Sequence, residues 1–579
     1  MDHFDVLICG GGLAGLSFAR QLRSGSETLR IGIIDRKAEP KARARYQVGE
    51  STVEGAAYYL SHKLKLRNHL DKSHLLKNGP RFFCGNPNRS IEQRIEIGSA
   101  GFPRIPSYQL DRSILAKELI DWNDANNIDF FPGYTIRKIS IHQIGKHTVT
   151  ASDTNGNKRE FSAKWIIDAS GRRRLLQKQF NLSRANGHRT AAAWLHINET
   201  IDINTLSSDS DWHARDPQGI RFRSTCFFVG KGYWVWLIVL ASGKTSIGIV
   251  LDKNEHPDIV LRTPDEFRAW LNINEPALYE RVHNRANQNF HSLPELSYSA
   301  RRVFSPERWA CVGDAGVFLD PLYSPGIDMI GLSNSMVVDL ILRDQTGDGD
   351  TDRIEAYNDF YLRTARTYLK TFRANYPVFD NPYVFMAKLY WDTLLYWVYF
   401  APFQIYDIYR VAQTGENSFN RFARLESRMQ RLFRRWARVC NRPAPSYTAY
   451  PPPGSILIEL HSELNRARTA EDALQYIKDS LEIVEATAGV IFMRAATELY
   501  PAHIEQLKAR GGINAYAMQT PPELWDRSHI FDCKHGNMAM EMELRYYYGE
   551  MSAAQYRTVR RLQEIQSNKS AQSVSFKSC

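Results

Sequence analysis

Short apolar runs alternate with a glycine turn and a helical pattern at the start of the chain. An apolar run at residues 6–9 is followed by three glycines, a helical pattern over 16–22, and a second apolar run over 29–34 that ends at Asp35. Strand, glycine turn, helix and strand in this order are typical of the first βαβ unit of a dinucleotide-binding fold. The pattern therefore predicts an α/β domain.

The pattern changes twice along the rest of the chain. From about residue 90 to 300, short alternating runs separated by Gly, Asn and Pro predict an antiparallel sheet, interrupted by buried strands near 165 and 310. Beyond about 345, long segments with charged faces predict helices. We predict a core of residues 1–345, a mainly α-helical C-terminal region over 346–566, and a flexible polar tail over 567–579.

Composition limits the partners and the cellular compartment that we expect for the protein. The 579 residues include 74 Lys and Arg against 63 Asp and Glu, a net charge of +11 that favours an acidic partner: nucleic acid, anionic lipid, a carrier protein or a phosphate-bearing cofactor. Seven widely spaced cysteines without a C-x-x-C pair indicate a reducing compartment. No basic stretch precedes the first apolar run, and residues 383–403 carry Lys388, Asp392 and Pro402. We expect a cytoplasmic protein without a signal peptide, and a buried or peripheral helix at 383–403.

The glycines at the start form a dinucleotide fingerprint. Gly10, Gly12 and Gly15 have the G-x-G-x-x-G spacing that permits a tight turn, close approach to a pyrophosphate, and close packing of helix on strand. Asp35 is placed to accept hydrogen bonds from ribose hydroxyls. A later Gly313-Asp314 pair follows a third strand and would place Asp314 on a ribityl hydroxyl. A nicotinamide domain does not need this second element, so we predict FAD rather than NAD.

Six segments together resemble the flavin-dependent halogenases, within the FAD monooxygenases related to hydroxybenzoate hydroxylase. They are GGGLAG at 10–15, VGEST at 48–52, SYQLDR at 107–112, DASG at 168–171, GDA at 313–315 and DPL at 320–322. The resemblance covers roughly residues 1–345 and implies a Rossmann-like FAD domain of the hydroxybenzoate-hydroxylase type with an inserted antiparallel β-sheet. The cofactor-binding residues that it implies are Gly10, Gly12, Leu13, Ala14, Gly15, Asp35, Arg36, Gly49, Ser51, Gln109, Gly313, Asp314, Pro321, Gly326 and Ile327.

Two further features resemble halogenases specifically. The run WVWLIV at 234–239 is similar to the family's W-x-W-x-I-P motif, with Val239 in place of proline, and implies that Trp234 and Trp236 separate the flavin from the organic substrate. A half-buried strand of alternating aromatics is the alternative. Lys77 lies in a segment similar to K-x-G-x-x-F, whose lysine is implied to bind hypohalous acid, by hydrogen bond or as a haloamine. A solvated lysine is the alternative.

Two more positions follow from the same resemblance. Glu50 in VGEST would lie near the flavin, although capping the next helix is a competing role. The loop DPLYSPG at 320–326 resembles the one that holds halide, and implies a halide site at Pro325 and Gly326. Tryptophan halogenases carry glutamate where Tyr323 stands, so this chain resembles the branch acting on phenolic or carrier-bound substrates. Pro325 lacks the N–H that such a site uses, which leaves the Gly326 amide and the helix N-terminus.

The resemblance implies halogenation of an electron-rich aromatic ring through hypohalous acid and Lys77. The reaction would use reduced FAD, O₂ and chloride or bromide. A separate flavin reductase is expected, because the chain has no second glycine fingerprint for NAD(P)H. An FAD-dependent hydroxylase or dehydrogenase of the same fold, without halide, is the alternative. A flavin-binding scaffold without turnover is a further, non-catalytic hypothesis.

One helical segment in the C-terminal region carries a stripe of arginines. Spacings of three and four residues place them on one helix face, beside an apolar face. They are Arg421, Arg424, Arg428, Arg431, Arg435 and Arg438. An acidic carrier protein, a phosphopantetheine phosphate or anionic lipid could bind there, and a solvated face paired with nearby acids is the alternative. No nucleic-acid partner is expected, because the aromatic residues lie on the buried side. The aromatic residues of 383–409 either line a pocket or form core.

Overall fold

The computed structural model describes residues 1–38, 49–510, 512–532 and 538–561. Val48 of the VGEST segment and the predicted tail at 567–579 lie outside these ranges. The described part combines two large sheets with many helices, which confirms the α/β class.

A mostly parallel sheet forms the centre of the N-terminal half. Its parallel strands are, in spatial order, Trp309–Cys311, Lys158–Asp168, Asp2–Cys9, Ile31–Asp35 and Asp129–Pro132. Phe304–Ser305 extends one edge, and the hairpin of Thr135–Ser140 and His147–Ser152 pairs with Lys158–Asp168. Cys9, Asp168 and Cys311 are in register. The glycine turn, DASG and GDA therefore meet at one edge of the sheet, where ligands of open α/β sheets bind.

Several helices complete this half of the molecule. Leu13–Gly25 packs against both Arg112–Ala125 and Gly326–Gln345. The shorter helices are Glu54–Tyr58, Arg67–Ser73, Leu175–Gln179, Ser210–Ala214, Pro264–Asn274 and Pro276–Val282. Two small ladders pair Leu75–Leu76 with Tyr108–Gln109, and Ser183–Arg184 with Ser299–Ala300.

The second sheet is the inserted one, and most of its pairs are antiparallel as predicted. Its order is Asn287–Leu293, Thr190–Ile197, Thr245–Asp252, Tyr233–Val239, Thr225–Gly230, Pro80–Cys84, Ile95–Gly98 and Tyr447–Ala449. Two pairs are parallel: Thr225–Gly230 with Pro80–Cys84, and Ile95–Gly98 with Tyr447–Ala449. Tyr233–Val239 is buried on both faces rather than half-buried. Trp234 and Trp236 face the main core, and Val235 faces a second, smaller core.

Long helices form most of the C-terminal region. They are Thr351–Arg373, Pro382–Leu395, Ala401–Ile405, Glu416–Ala437, Ile456–Glu463, Ala470–Leu499, Ile504–Arg510 and Met538–Tyr547. Residues 383–403 are almost entirely buried, as predicted. Within the described ranges, every helix is too short or too polar to cross a bilayer. The strand Tyr447–Ala449 joins the second sheet, so this region also contributes to the β-structure of the core.

Candidate active site

The glycine turn leaves no room for side chains at two positions. Gly10 has a φ of +125°, and a Cβ there would lie 2.4 Å from the Ala169 carbonyl oxygen. A Cβ on Gly15 would lie 2.0 Å from the Gly10 carbonyl oxygen. Gly12, at the start of helix Leu13–Gly25, faces open space. The turn therefore has no room for a side chain at Gly10 and Gly15. At Gly12 it is open, and helix amides there can bind a pyrophosphate.

Asp35 holds the backbone beside this turn. Its carboxylate accepts hydrogen bonds from the Gly11 N–H at 2.7 Å and the Lys37 N–H at 2.8 Å. With Gly10, Gly12 and Arg36 it lines a cavity of about 280 Å³ at the end of the parallel strands. A carboxylate at this place fits the ribose of an adenosine half.

A larger cavity of about 420 Å³ continues from Gly12, and we call it the flavin cavity. The structure brings most of the predicted cofactor residues together in its wall: Gly12, Leu13, Ala14, Gly49, Ser51, Asp314, Pro321, Gly326 and Ile327. Gln109 is not among the described residues that line it. Its side-chain amide instead donates at 2.9 Å to the Arg223 carbonyl. The open front of the turn, Asp35 and this continuous cavity fit FAD.

Two arginines in this wall were not assigned from the sequence. Arg112 and Arg172 both line the flavin cavity and face Asp314. Burial raises the pKa of Asp314, and the two guanidinium groups partly oppose this rise. Arg112 stands in SYQLDR, one of the segments that carried the resemblance, and Arg172 directly follows another, DASG.

Glu50 is buried in the flavin cavity and pairs with a histidine. His196 Nε2 lies 2.6 Å from Glu50 Oε1. Burial lowers the pKa of His196, but the hydrogen bond and the charge of Glu50 outweigh it, so this pKa is raised. The next helix begins at Glu54 with Val53 at its cap, so Glu50 does not cap it.

Trp234 and Trp236 also line the flavin cavity. The Trp234 indole N–H donates to the Tyr376 hydroxyl at 3.0 Å, and that hydroxyl donates to Asp320 at 2.7 Å. The Trp236 indole N–H donates to Ser246 Oγ at 3.0 Å. Trp234 is thus tied through Tyr376 to the predicted halide loop, while the role of both rings as the partition stays a prediction.

A second cavity of about 410 Å³ lies on the other side of a thin wall, and we call it the Lys77 cavity. Phe227 and Pro325 line both cavities. The first turn of helix Gly326–Gln345 forms part of the same wall: Ile327 faces the flavin cavity and Asp328 faces the Lys77 cavity. The aromatic residues at the rest of its wall come largely from the helical region: Tyr368, Phe372, Tyr396, Trp397, Phe400 and Tyr450. The aromatic segment at 383–409 therefore supplies both core and pocket.

Lys77 lies at the junction of the two cavities. Its side chain is 3% exposed, and its ammonium donates to Ser51 Oγ at 2.8 Å and to the Thr52 carbonyl at 2.9 Å. Lys77 lines the Lys77 cavity, whereas Ser51 lines the flavin cavity. Burial lowers the pKa of Lys77 to about 8, and the nearby charges of Glu54 and Asp328 oppose this shift. Lys77 is therefore not the solvated lysine of the alternative hypothesis.

The predicted halide loop has an unusual backbone. Tyr323 and Ser324 have φ of +61° and +63°, in the left-handed region that side chains disfavour. Gly326 and Ile327 then begin the helix, where N–H groups lack intrahelical partners and carry partial positive charge. The Tyr323 hydroxyl turns away from the flavin cavity and donates to Asn375 at 3.0 Å and Asp392 at 3.2 Å. The helix N-terminus can thus hold an anion beside the flavin cavity despite Pro325.

Five arginines of the stripe lie on helix Glu416–Ala437 and Arg438 directly follows its last residue, with the predicted apolar face buried. Arg421 forms an ion pair with Glu485, Arg431 donates to Gln519, and Arg435 donates to Tyr500. Arg424, Arg431, Arg435 and Arg438 remain exposed. The stripe is thus partly paired with neighbouring elements and partly open to solvent.

The parallel sheet, the glycine turn and the acids at Asp35 and Asp314 together define an FAD-binding flavoprotein. The family described as tryptophan halogenase matches residues 86–382, just over half of the chain. The chain therefore belongs to this family, the flavin-dependent halogenases.

Individual relatives agree with this family. The chain is 26% identical over 368 residues to the flavin-dependent halogenase chlA of Dictyostelium discoideum, a match that covers 59% of this chain but only 60% of that protein. It is 24% identical over 345 residues to the 1H-pyrrole-2-carbonyl-(peptidyl-carrier protein) chlorinase of Pseudomonas fluorescens, covering 57% of this chain and 73% of that one. The solved structure of halogenase PltM with phloroglucinol and FAD has a TM-score of 0.60 at 18% identity, and covers 84% of this chain and 96% of PltM. That likeness shows the shared fold.

Proposed function

We propose that this protein is a flavin-dependent halogenase that acts on an electron-rich aromatic ring, either a free phenol or a carrier-bound group. The observation that carries the proposal is the position of Lys77. It is buried, faces an aromatic-walled cavity, and contacts through Ser51 the wall of the flavin cavity. An amine placed between a flavin and an aromatic pocket can receive an electrophilic halogen on one side and present it on the other.

Residues of the flavin cavity, of the glycine turn and of the smaller cavity at Asp35 would hold different parts of the cofactor. Gly10, Gly12 and Gly15 would shape the turn for the pyrophosphate, Asp35 would hold the ribose, and Asp314 would hold the ribityl chain. Bound reduced FAD would supply the two electrons that reduce O₂ to the peroxide level, at which its oxygen can oxidise halide to hypohalous acid.

The remaining residues act on the halide, the acid and the substrate. Gly326 and Ile327 offer helix N-terminal amides to the halide. Lys77 binds the hypohalous acid, and its lowered pKa lets it serve as ammonium or as amine near neutral pH. Phe227 and Pro325 exclude the organic ring from the flavin cavity, with Trp234 and Trp236 behind them.

The partners follow from the same proposal. A separate flavin reductase supplies reduced FAD. A carrier-bound substrate would dock an acidic carrier on the exposed arginines Arg424, Arg431, Arg435 and Arg438, and the carrier-dependent chlorinase among the relatives supports this class of substrate. Five buried free cysteines, Cys9, Cys84, Cys226, Cys311 and Cys440, support a reducing compartment such as the cytoplasm.

The test uses the full chain with FAD, a flavin reductase, NADH, O₂ and either chloride or bromide. Phloroglucinol and a pyrrolyl group on a carrier protein are the two probes, and products are read by mass spectrometry. We expect a halide-dependent product with the isotope pattern of chlorine or bromine. Oxygen gain without halogen would support the hydroxylase, and bound FAD with no product from either probe would support the scaffold.

A further inference from the structure

A cluster of ionisable side chains surrounds Lys77 inside its cavity. Glu54 and Asp328 both line the Lys77 cavity and are 8% and 6% exposed. Both interact electrostatically with Lys77. Neither carboxylate belongs to the segments that carried the family resemblance, and the cofactor does not need them, because they lie on the far side of the wall from the flavin cavity.

The two carboxylates are held in different ways. Glu54 starts helix Glu54–Tyr58, and its Oε1 lies 3.0 Å from His461 Nε2. Burial raises the pKa of Glu54, but the hydrogen bond and charge of His461 outweigh it, so this pKa is lowered. Glu54 is therefore a fixed negative charge that is already paired.

Asp328 is the carboxylate that remains free to exchange a proton. Its Oδ2 accepts a hydrogen bond from the Tyr396 hydroxyl at 2.8 Å, and Tyr396 in turn accepts from the Gly55 N–H at 3.1 Å. Burial, together with the charge of Glu54, raises the pKa of Asp328 to about 7. When the pKa values of two acids in one site are shifted in opposite directions, the acid with the raised pKa is the one that can accept and release a proton near neutral pH.

We propose that Asp328 binds the hydroxyl of a phenolic substrate in the Lys77 cavity and takes its proton during halogenation. The inference rests on the proposed function and names its substrate class. Asp328 lies beside Lys77 on the same cavity wall, so a ring that reaches Lys77 can place its hydroxyl on Asp328. A pyrrole or an ether has no hydroxyl to donate there.

The proposed step balances in protons and electrons. A ring carbon forms its bond to the halogen as the halogen–oxygen bond of hypohalous acid breaks. The departing oxygen leaves as water with a proton from Lys77, and the phenolic proton moves to Asp328. Loss of the C–H proton restores the aromatic ring and recharges Lys77, and Asp328 returns its proton to the ring oxygen. The net change is phenol plus hypohalous acid to halophenol plus water.

The test compares Asp328→Asn with wild type on phloroglucinol and on 1,3,5-trimethoxybenzene, which lacks the hydroxyl. For phloroglucinol we expect kcat to fall by ~10²-fold in the variant, as for loss of a general base. The slower reaction of the ether should fall far less, because there only the charge of Asp328 on Lys77 is lost. Asp121→Asn, at an exposed carboxylate, is the control and should match wild type on both compounds.

Two readouts separate catalysis from structural damage. In full-length protein carrying oxidised FAD, without reductase, Asp328→Asn should weaken the calorimetric Kd of phloroglucinol by ~10-fold, as for a lost hydrogen bond to a charged group, and leave that of the ether unchanged. The wild-type kcat/KM for phloroglucinol should rise with pH through about 7 as Asp328 ionises, and the variant should lack this rise. Glu54, Lys77, Tyr396 and Tyr368 are the ionisable groups that face Asp328.

A second variant keeps the inference testable if Asp328→Asn does not fold. Tyr396→Phe removes the hydroxyl that lowers the pKa of Asp328, so the rise of kcat/KM should move to higher pH. Equal halogenation of phloroglucinol by Asp328→Asn and wild type would overturn the inference and leave the proposed function standing. A wild type that yields no halogenated product would instead overturn the proposed function.

Discussion

The flavin cavity and the Lys77 cavity share a wall but are built from different kinds of sequence. The flavin cavity is assembled from short contiguous segments that end strands or begin helices, such as the glycine turn and DPLYSPG. The Lys77 cavity draws its lining from several distant parts of the chain, including residues 99–104 and nine positions from 368 to 400. Much of the lining of the flavin cavity can thus be recognised in short sequence motifs, whereas the lining of the Lys77 cavity becomes visible only in the folded structure.

Replacing Lys77 should separate the two cavities most strongly. Lys77→Met keeps the length of the side chain and removes its charge and hydrogen bonds to Ser51 and Thr52. We expect halogenation to fall by ~10³-fold or more, while the affinity for FAD, measured by fluorescence titration, changes less than ~2-fold. Lys72→Ala, at an exposed lysine nearby, is the control. Halogenation that survives in Lys77→Met would remove Lys77 from the mechanism.

The glycine turn offers the converse experiment. Gly10→Ala places a Cβ against the Ala169 carbonyl oxygen at a positive φ, so we expect ~2–4 kcal/mol of lost stability in chemical denaturation, together with lost FAD binding. Gly12→Ala meets no atom within 4 Å and should keep the fold while weakening FAD binding. Equal loss of stability in both variants would contradict the difference in free space between Gly10 and Gly12.

Tyr376 links the helical region to the flavin cavity. Tyr376→Phe deletes the hydroxyl between the Trp234 indole N–H and Asp320, and leaves buried polar groups without this partner. We expect the free energy of unfolding to fall by ~1–3 kcal/mol and FAD binding to weaken severalfold. Tyr361→Phe is a control, because Tyr361 is also fully buried and its hydroxyl interacts with Ser333 rather than with Trp234 or Asp320. A Tyr376→Phe variant as stable as Tyr361→Phe would show that this link is unimportant.

The smallest expected effect concerns the Glu50–His196 pair. The pKa of His196 is raised in the folded protein, so its contribution to stability is fully present below the ordinary histidine pKa and is lost as pH rises through the raised value. Urea unfolding between pH 6 and 9 should show this loss in wild type and not in His196→Gln. His74 has a lowered pKa that does not depend on His196, so it acts in both proteins alike. Parallel curves for the two proteins would refute the contribution.

Most residues predicted for the cofactor lie together in the structure because they stand at strand ends. Gly10, Asp35 and Asp314 are found by counting along the chain, since parallel strands bring their carboxyl ends to one edge. Asp328 was missed although it stands two residues beyond the recognised loop. Only the rotation of the helix shows that it faces the opposite cavity from Ile327.

The edge strand Tyr447–Ala449 escaped prediction for a similar reason. Only five residues separate Pro445 from Pro451, and no alternation of apolar and polar positions can develop over so short a stretch. Its identity as a strand comes from its partner Ile95–Gly98, which lies far away in the sequence.

That late edge strand also bears on the order in which the protein is made. The ribosome synthesises every residue that lines the flavin cavity before it reaches Tyr447. Until then, strand Ile95–Gly98 lacks its pairing partner Tyr447–Ala449. Tyr450 and His461, which close the Lys77 cavity, emerge later still. A nascent chain can therefore acquire its cofactor site well before it has an enclosed chamber in which to use it.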